Sequence, residues 1–173
     1  MALVNQKLSP HRKLGMNATP TMALAQDTAA TFVQGAPVNF NTDGELIACA
    51  TQSVTTGAAV DASEQVVGIA GEPAVSSTLL KRRFTPALQG QMFKGQLMTS
   101  ESSAALVTTL QTHVGDVACL TLTTSDVHYG VDIGATAVSA EPLVKIVEII
   151  ELGVSGGLVG FVFLDAASNL FVA

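Results

Sequence analysis

Tryptophan is absent from this chain, tyrosine occurs once, and aromatic residues together make up 5% of the 173 positions. A core of this composition cannot rest on large rings, so it must be packed from small aliphatic side chains. Charge is scarce as well, 13% against a globular norm of about 25%. The 8 basic residues are outnumbered by 14 acidic ones, giving a net charge of −6. An acidic body repels phosphate, which disfavours bulk binding to nucleic acid. Cysteine is limited to Cys49 and Cys119. They lie far apart, with no CxxC pair and no histidine at ligand spacing, so a metal site has little support. They read as buried free thiols, with a disulfide or a reactive thiol as the alternative. No apolar run reaches the about 20 residues of a membrane span; the longest, Leu152 to Leu164, has 13 residues with four glycines among them. The expectation is a soluble chain without a membrane partner. Residues 1–13 have no apolar stretch of the kind that follows the basic residues of a secretory signal.

Hydrophobic residues nevertheless reach 48%, and mean hydropathy is +0.45. That is too apolar for general disorder. The length suits one domain, or one domain and an arm. Alanine, valine and threonine number 24, 20 and 18, and β-branched side chains sit best on pleated strands. The composition therefore predicts an all-β protein.

Along the chain, residues 1–31 lack a sustained period before Pro20 and read as an extended arm, either disordered or strapped across a neighbouring molecule. A short weak helix from Thr19-Pro20 to Ala30 is a further expectation. From Phe32 onward, short strand-like runs alternate with turn signals. Val38 to Phe40 and Glu45 to Thr51 flank Asp43-Gly44, a strong hairpin cue. Gln65 to Ala70 has Gly68 in its middle, marking a bulge or a close backbone approach. Further strands are expected over Ala74 to Leu80, Gln91 to Met98, Val117 to Thr123, Val127 to Ile133, Leu143 to Leu152, Leu158 to Leu164 and Leu170 to Val172. Short strands at this spacing predict a small β-barrel or sandwich over residues 32–173. One helix is expected over 100–113, from Glu101 near its start, Leu106 and Leu110 four apart, and Gly115 beyond its end.

The chain offers no recognised catalytic motif. His113 with Asp116 and Asp126 with His128 are the close His/acid pairs, read as surface or hydrogen-bonded histidines. Asp43 beside Gly44 reads as a turn residue. No catalytic set, metal or cofactor is expected.

The charge layout is uneven. Lys7, Arg12 and Lys13 occupy residues 1–13 without an acid, and Lys81, Arg82, Arg83 and Lys94 occupy residues 81–94 without one. The Lys81 to Arg83 run is either a solvated turn or a docking patch for an acidic surface.

Gly35-Ala36-Pro37-Val38, Asp43-Gly44-Glu45-Leu46 and Val66-Val67-Gly68-Ile69-Ala70 together resemble the opening strands of small head decoration (cement) proteins of tailed bacteriophages. The resemblance covers about residues 32–71. It implies a compact β-barrel or β-tulip domain, which with the expected helix over 100–113 is mainly β with one short helix, and which forms a homotrimer on the capsid exterior after assembly in the host cytoplasm. Such a trimer would strap neighbouring major capsid subunits, with the arm pairing to capsid strands by β-augmentation. It would make Lys7, Arg12 and Lys13 of the arm, and Lys81, Arg82 and Arg83, the capsid contacts. The glycine-rich apolar C-terminal strands would form trimer contacts. This chain exceeds the smaller members in length, so its barrel is expected to be elaborated. A tail-tube subunit, a head fibre base or a cellular ligand-binding or enzymatic barrel are the competing readings.

Overall fold

In the computed structural model, residues 8–13, 21–54, 57–61, 65–75, 80–100, 105–123, 128–134 and 142–164 are described. Among these described residues, runs of β-branched and small apolar residues become fourteen strands in two sheets, and the only helical element is a 3-10 turn at Gln111–His113.

The larger sheet contains β1 (Ser9–Lys13), β5 (Thr51–Val54), β6 (Gly57–Val60), β9 (Gln91–Thr99), β10 (Ala105–Leu106), β11 (Val117–Thr123), β12 (Tyr129–Asp132), β13 (Val144–Ile149) and β14 (Leu158–Phe163). Five of these close on themselves. β9 pairs antiparallel with β14, β14 with β13, β13 with β11 and β11 with β12, and β12 returns parallel to β9. Closure satisfies the backbone groups that an open sheet would leave at its edges. Strand β9 is long enough to serve two neighbours along one edge: Gln91 to Lys94 pair with β1, and Leu97 and Met98 pair with β12.

Successive side chains of a strand alternate between faces, so Phe93, Gly95 and Leu97 share one face of β9. Phe93 stacks on its cross-strand partner Phe161 with centroids 5.9 Å apart, and Phe163 meets both rings edge-on. Leu120, Val131, Val144, Ile146 and Val159 fill the remaining core and are fully buried. With few rings available, the packing is largely aliphatic.

The smaller sheet runs in the order β2 (Met22–Ala25), β8 (Lys81–Pro86), β7 (Gly68–Ala70), β3 (Pro37–Phe40) and β4 (Leu46–Ala48). A parallel bridge between Gln26 and Leu46 brings its two ends together. The expected hairpin joins β3 to β4, with Gly44 at φ +77°. The turn is organised by Asn41 rather than Asp43: its Oδ1 accepts from the N–H groups of Asp43 and Glu45, while its amide donates to Asp27 and Glu45. Gly68 does mark a close approach, since a Cβ there would fall 2.7 Å from the Phe84 ring and against the Thr85 carbonyl. Residues of both sheets join one buried hydrophobic cluster.

Three expectations need revision. The helix expected over 100–113 does not form in its described part: Ala105 and Leu106 pair with Thr99 and Met98, and only Gln111–His113 turns. Val107, Thr108 and Thr109 are poor helix formers, and Thr109 is instead buried, its hydroxyl hydrogen-bonded to the Glu151 carbonyl. The short helix expected before Ala30 is also replaced, because Met22–Ala25 is a strand paired with β8. Finally, the described parts of residues 1–31 lie along this chain's own sheets, as β1 on β9 and β2 on β8. Leu170 to Val172 lie outside the described residues. No helix among the described residues is long and apolar enough to cross a membrane.

Candidate docking surfaces

Three surfaces stand out, and the first two carry the bases that the sequence singles out. The first is β1, the terminal strand of the larger sheet, which pairs with β9 along one edge only among the described residues. Its register shifts between Pro10 and Arg12, and Arg12 and Lys13 fall opposite Met92 and Gln91. His11 approaches Glu148 of β13 at 3.4 Å, a further tie between β1 and the barrel. Lys7 lies outside the described residues. An edge strand offers a row of backbone donors and acceptors to a partner strand, and Pro10 removes one donor from that row.

The second surface is β8, so the Lys81 to Arg83 run is a strand and not a turn. Alternation sends its three bases to two sides. Arg82 donates through Nε to Oε1 of the buried Gln26 at 2.5 Å, and Gln26 in turn donates to the Val75 carbonyl. Arg83 pairs with Glu72 at 2.6 Å. The Arg83 guanidinium, bonded directly to that carboxylate, holds the Glu72 pKa below the ordinary value. Lys81 is exposed and makes no such pair among the described residues. Met22, Val75 and Leu80, all exposed apolar side chains, belong to the same sheet or to its connections.

The third surface escaped the sequence reading, which placed a helix there. The buried hydroxyl of Thr109 accepts from the Val154 N–H and donates to the Glu151 carbonyl, tying the 107–116 segment to the hairpin between β13 and β14. Both pieces expose large apolar side chains: Leu110, Val114, Leu152 and Val154, with Leu152 63% exposed. Asp116 is exposed beside them and Glu151 half-buried. The signal available in the sequence was Leu152-Gly153-Val154, two apolar residues about a turn glycine.

Of the His/acid pairs, His113 and Asp116 meet through the main chain, the Asp116 N–H donating to the His113 carbonyl. His113 accepts the Leu110 N–H through Nδ1, closing the 3-10 turn. His128 is buried, and Asp126 lies outside the described residues. Asp132 is fully buried, and its Oδ1 accepts from the N–H groups of Ser100 and Gly134, pinning the end of β9 to β12. Cys49 and Cys119 are buried, and no disulfide joins them. Burial, and secondarily the Asp132 carboxylate, push the Cys119 thiol up to about 12, which keeps it protonated and unreactive. Among the described residues, no three His, Cys, Asp or Glu side chains gather as a metal site.

Neither protein-family models nor curated proteins match this sequence.

Proposed function

We propose that this chain is a non-catalytic structural subunit of a tailed-phage virion, a decoration protein that docks on the exterior of an expanded capsid and bridges major capsid subunits. The observation that carries this reading is β1, a strand edge with Arg12 and Lys13 on a chain of net charge −6. Strand addition along that edge supplies main-chain hydrogen bonds, and the bases, with Lys7, favour an acidic capsid surface. The resemblance of residues 32–71 to decoration proteins points the same way. Several copies acting together need only modest affinity at each contact, because multivalency multiplies occupancy.

The test is co-sedimentation with undecorated, expanded phage capsids. The full-length chain should pellet with them, and the Arg12→Glu/Lys13→Glu variant should stay in the supernatant while keeping its melting temperature. A chain that ignores capsids, or polymerises into tubes on its own, overturns the reading in favour of the cellular or the tail-tube alternative.

A further inference from the structure

Lys94 is half-buried and, among the described residues, makes no hydrogen bond or ion pair. Phe93 and Gly95 face the core, so alternation sends Lys94 to the outer face of β9, between Met92 and Gln96, which are 3% and 5% exposed. Across the sheet its row reads Ser9, Lys94, Gly160, Glu148. Glu148 is the acid of that row, but its carboxylate is turned to His11 Nε2 at 3.4 Å. Taking an ammonium partly out of water without a partner costs free energy, so Lys94 does not stabilise the fold through its charge. On its other side stands Ser9 of β1, half-buried and short, and beyond Ser9 the edge of β1 pairs with no further strand among the described residues.

We infer that the partner strand added along β1 carries an aspartate or glutamate in register with Ser9, and that Lys94 reaches over Ser9 to hold it. Neighbouring strands lie about 4.8 Å apart, so the added strand runs about 10 Å from β9. The flexible four-carbon stem of a lysine and an acidic side chain extended toward it cover that distance together, and the serine between them is too short to block the path. Because Lys94 is already partly desolvated, pairing costs it less water than it would cost a fully exposed lysine. The partner is thus an acidic strand of another protein, and the pair sets register as well as charge: a slip of one residue turns the acid to the opposite face. Arg12 and Lys13 attract an acidic surface in general, whereas Lys94 reads one position of the strand. The inference rests on the proposed function for strand addition at β1, and adds to it the residue that selects the strand.

The experiment compares Lys94→Met with Lys145→Met in co-sedimentation with undecorated, expanded phage capsids, Lys145 being an exposed lysine on the outer face of β13. The first variant should weaken capsid binding about 10-fold or more at an unchanged or higher melting temperature, and the second should bind like the unmodified chain. Equal losses at both positions would show an effect of bulk charge, and no loss at Lys94 would show that it holds nothing; either result overturns the inference and leaves the proposed function standing. An unmodified chain that ignores capsids overturns both. Where Lys94→Met fails to fold, a carbodiimide, which joins an amine directly to a carboxylate, decides on the unmodified chain. Peptide mapping of the treated capsid complex should find Lys94 joined to an aspartate or glutamate of the capsid subunit, and coupling through other lysines alone overturns the inference.

Discussion

Gly95 holds open the space that Leu8 fills. A Cβ at position 95 would lie 2.5 Å from Leu8 Cδ2 and 2.9 Å from Val131 Cγ2, while Leu8 itself is 2% exposed. The residue ahead of β1 is therefore part of the hydrophobic core, and the β1 edge is anchored by it.

Replacing Leu8 by alanine should leave a cavity beside Gly95 and destabilise the fold by about 2–3 kcal/mol, in the lower part of the range for buried leucines. Urea denaturation with an unchanged slope checks this. Gly95→Val should be at least as damaging, because the added side chain must displace Leu8. A Gly95→Val protein with undiminished stability would show that β1 is not held by that contact.

Burial, chiefly, raises both the Cys119 thiol and the Tyr129 hydroxyl to about 12, from ordinary values of 9.0 and 10.0. An acid with a raised folded pKa stays protonated in the native state while the unfolded chain ionises. Its contribution is whole below pH 9.0 for Cys119 and below pH 10.0 for Tyr129, and is lost as pH climbs toward 12. Stability should fall steadily across that window. Cys119→Ala should flatten the part of the decline that begins near pH 9, and iodoacetamide should label Cys119 slowly in the native protein and rapidly in urea.

Asn41→Asp would remove two amide donors and place a third carboxylate beside Asp27 and Glu45. The expected loss is about 1–3 kcal/mol at neutral pH. It should shrink as pH drops through the carboxylate range, since protonation relieves the repulsion. Thermal melts of both proteins across that range provide the check.

Thr109→Val keeps the shape of a buried side chain and deletes the hydroxyl shared by Glu151 and Val154. The orphaned carbonyl and amide should cost about 1–3 kcal/mol. Hydrogen exchange at Val154 should rise ahead of exchange in β9 and β14. Uniform exchange across all three would mean that the hairpin is not tied locally.

Strands with an uninterrupted apolar text were legible: Val117–Thr123 spans the residues expected, and β13 and β14 fall within their expected runs. β8 was hidden because Lys81, Arg82 and Arg83 look like solvated charge, yet Gln26 and Glu72 satisfy two of them from neighbouring segments. β5 and β6 were hidden because Thr51–Val54 and Gly57–Val60 hold mostly small or polar residues, and pairing with β11 stabilises β6. The spacing of Leu106 and Leu110 suggested a helix. Leu106 instead packs against Gly156, where a Cβ would lie 2.6 Å away, a long-range contact that no local period encodes. For the candidate surfaces, the charges could be read from sequence. Their apolar companions could not, because exposure depends on which turns the barrel leaves uncovered.

The seat of Leu8 also sets an order of events on the ribosome. A Cβ at Gly95 would also lie 3.4 Å from Phe161 Cε1, so Phe161 borders the same space, and the slot is complete only after β14 has been made. At about 5–20 residues per second, β1 must wait many seconds with Leu8 uncovered while the rest of the barrel is synthesised. Leu8 therefore enters its slot only when the last barrel strand is in place, so β1 is among the latest parts of the described fold to be locked.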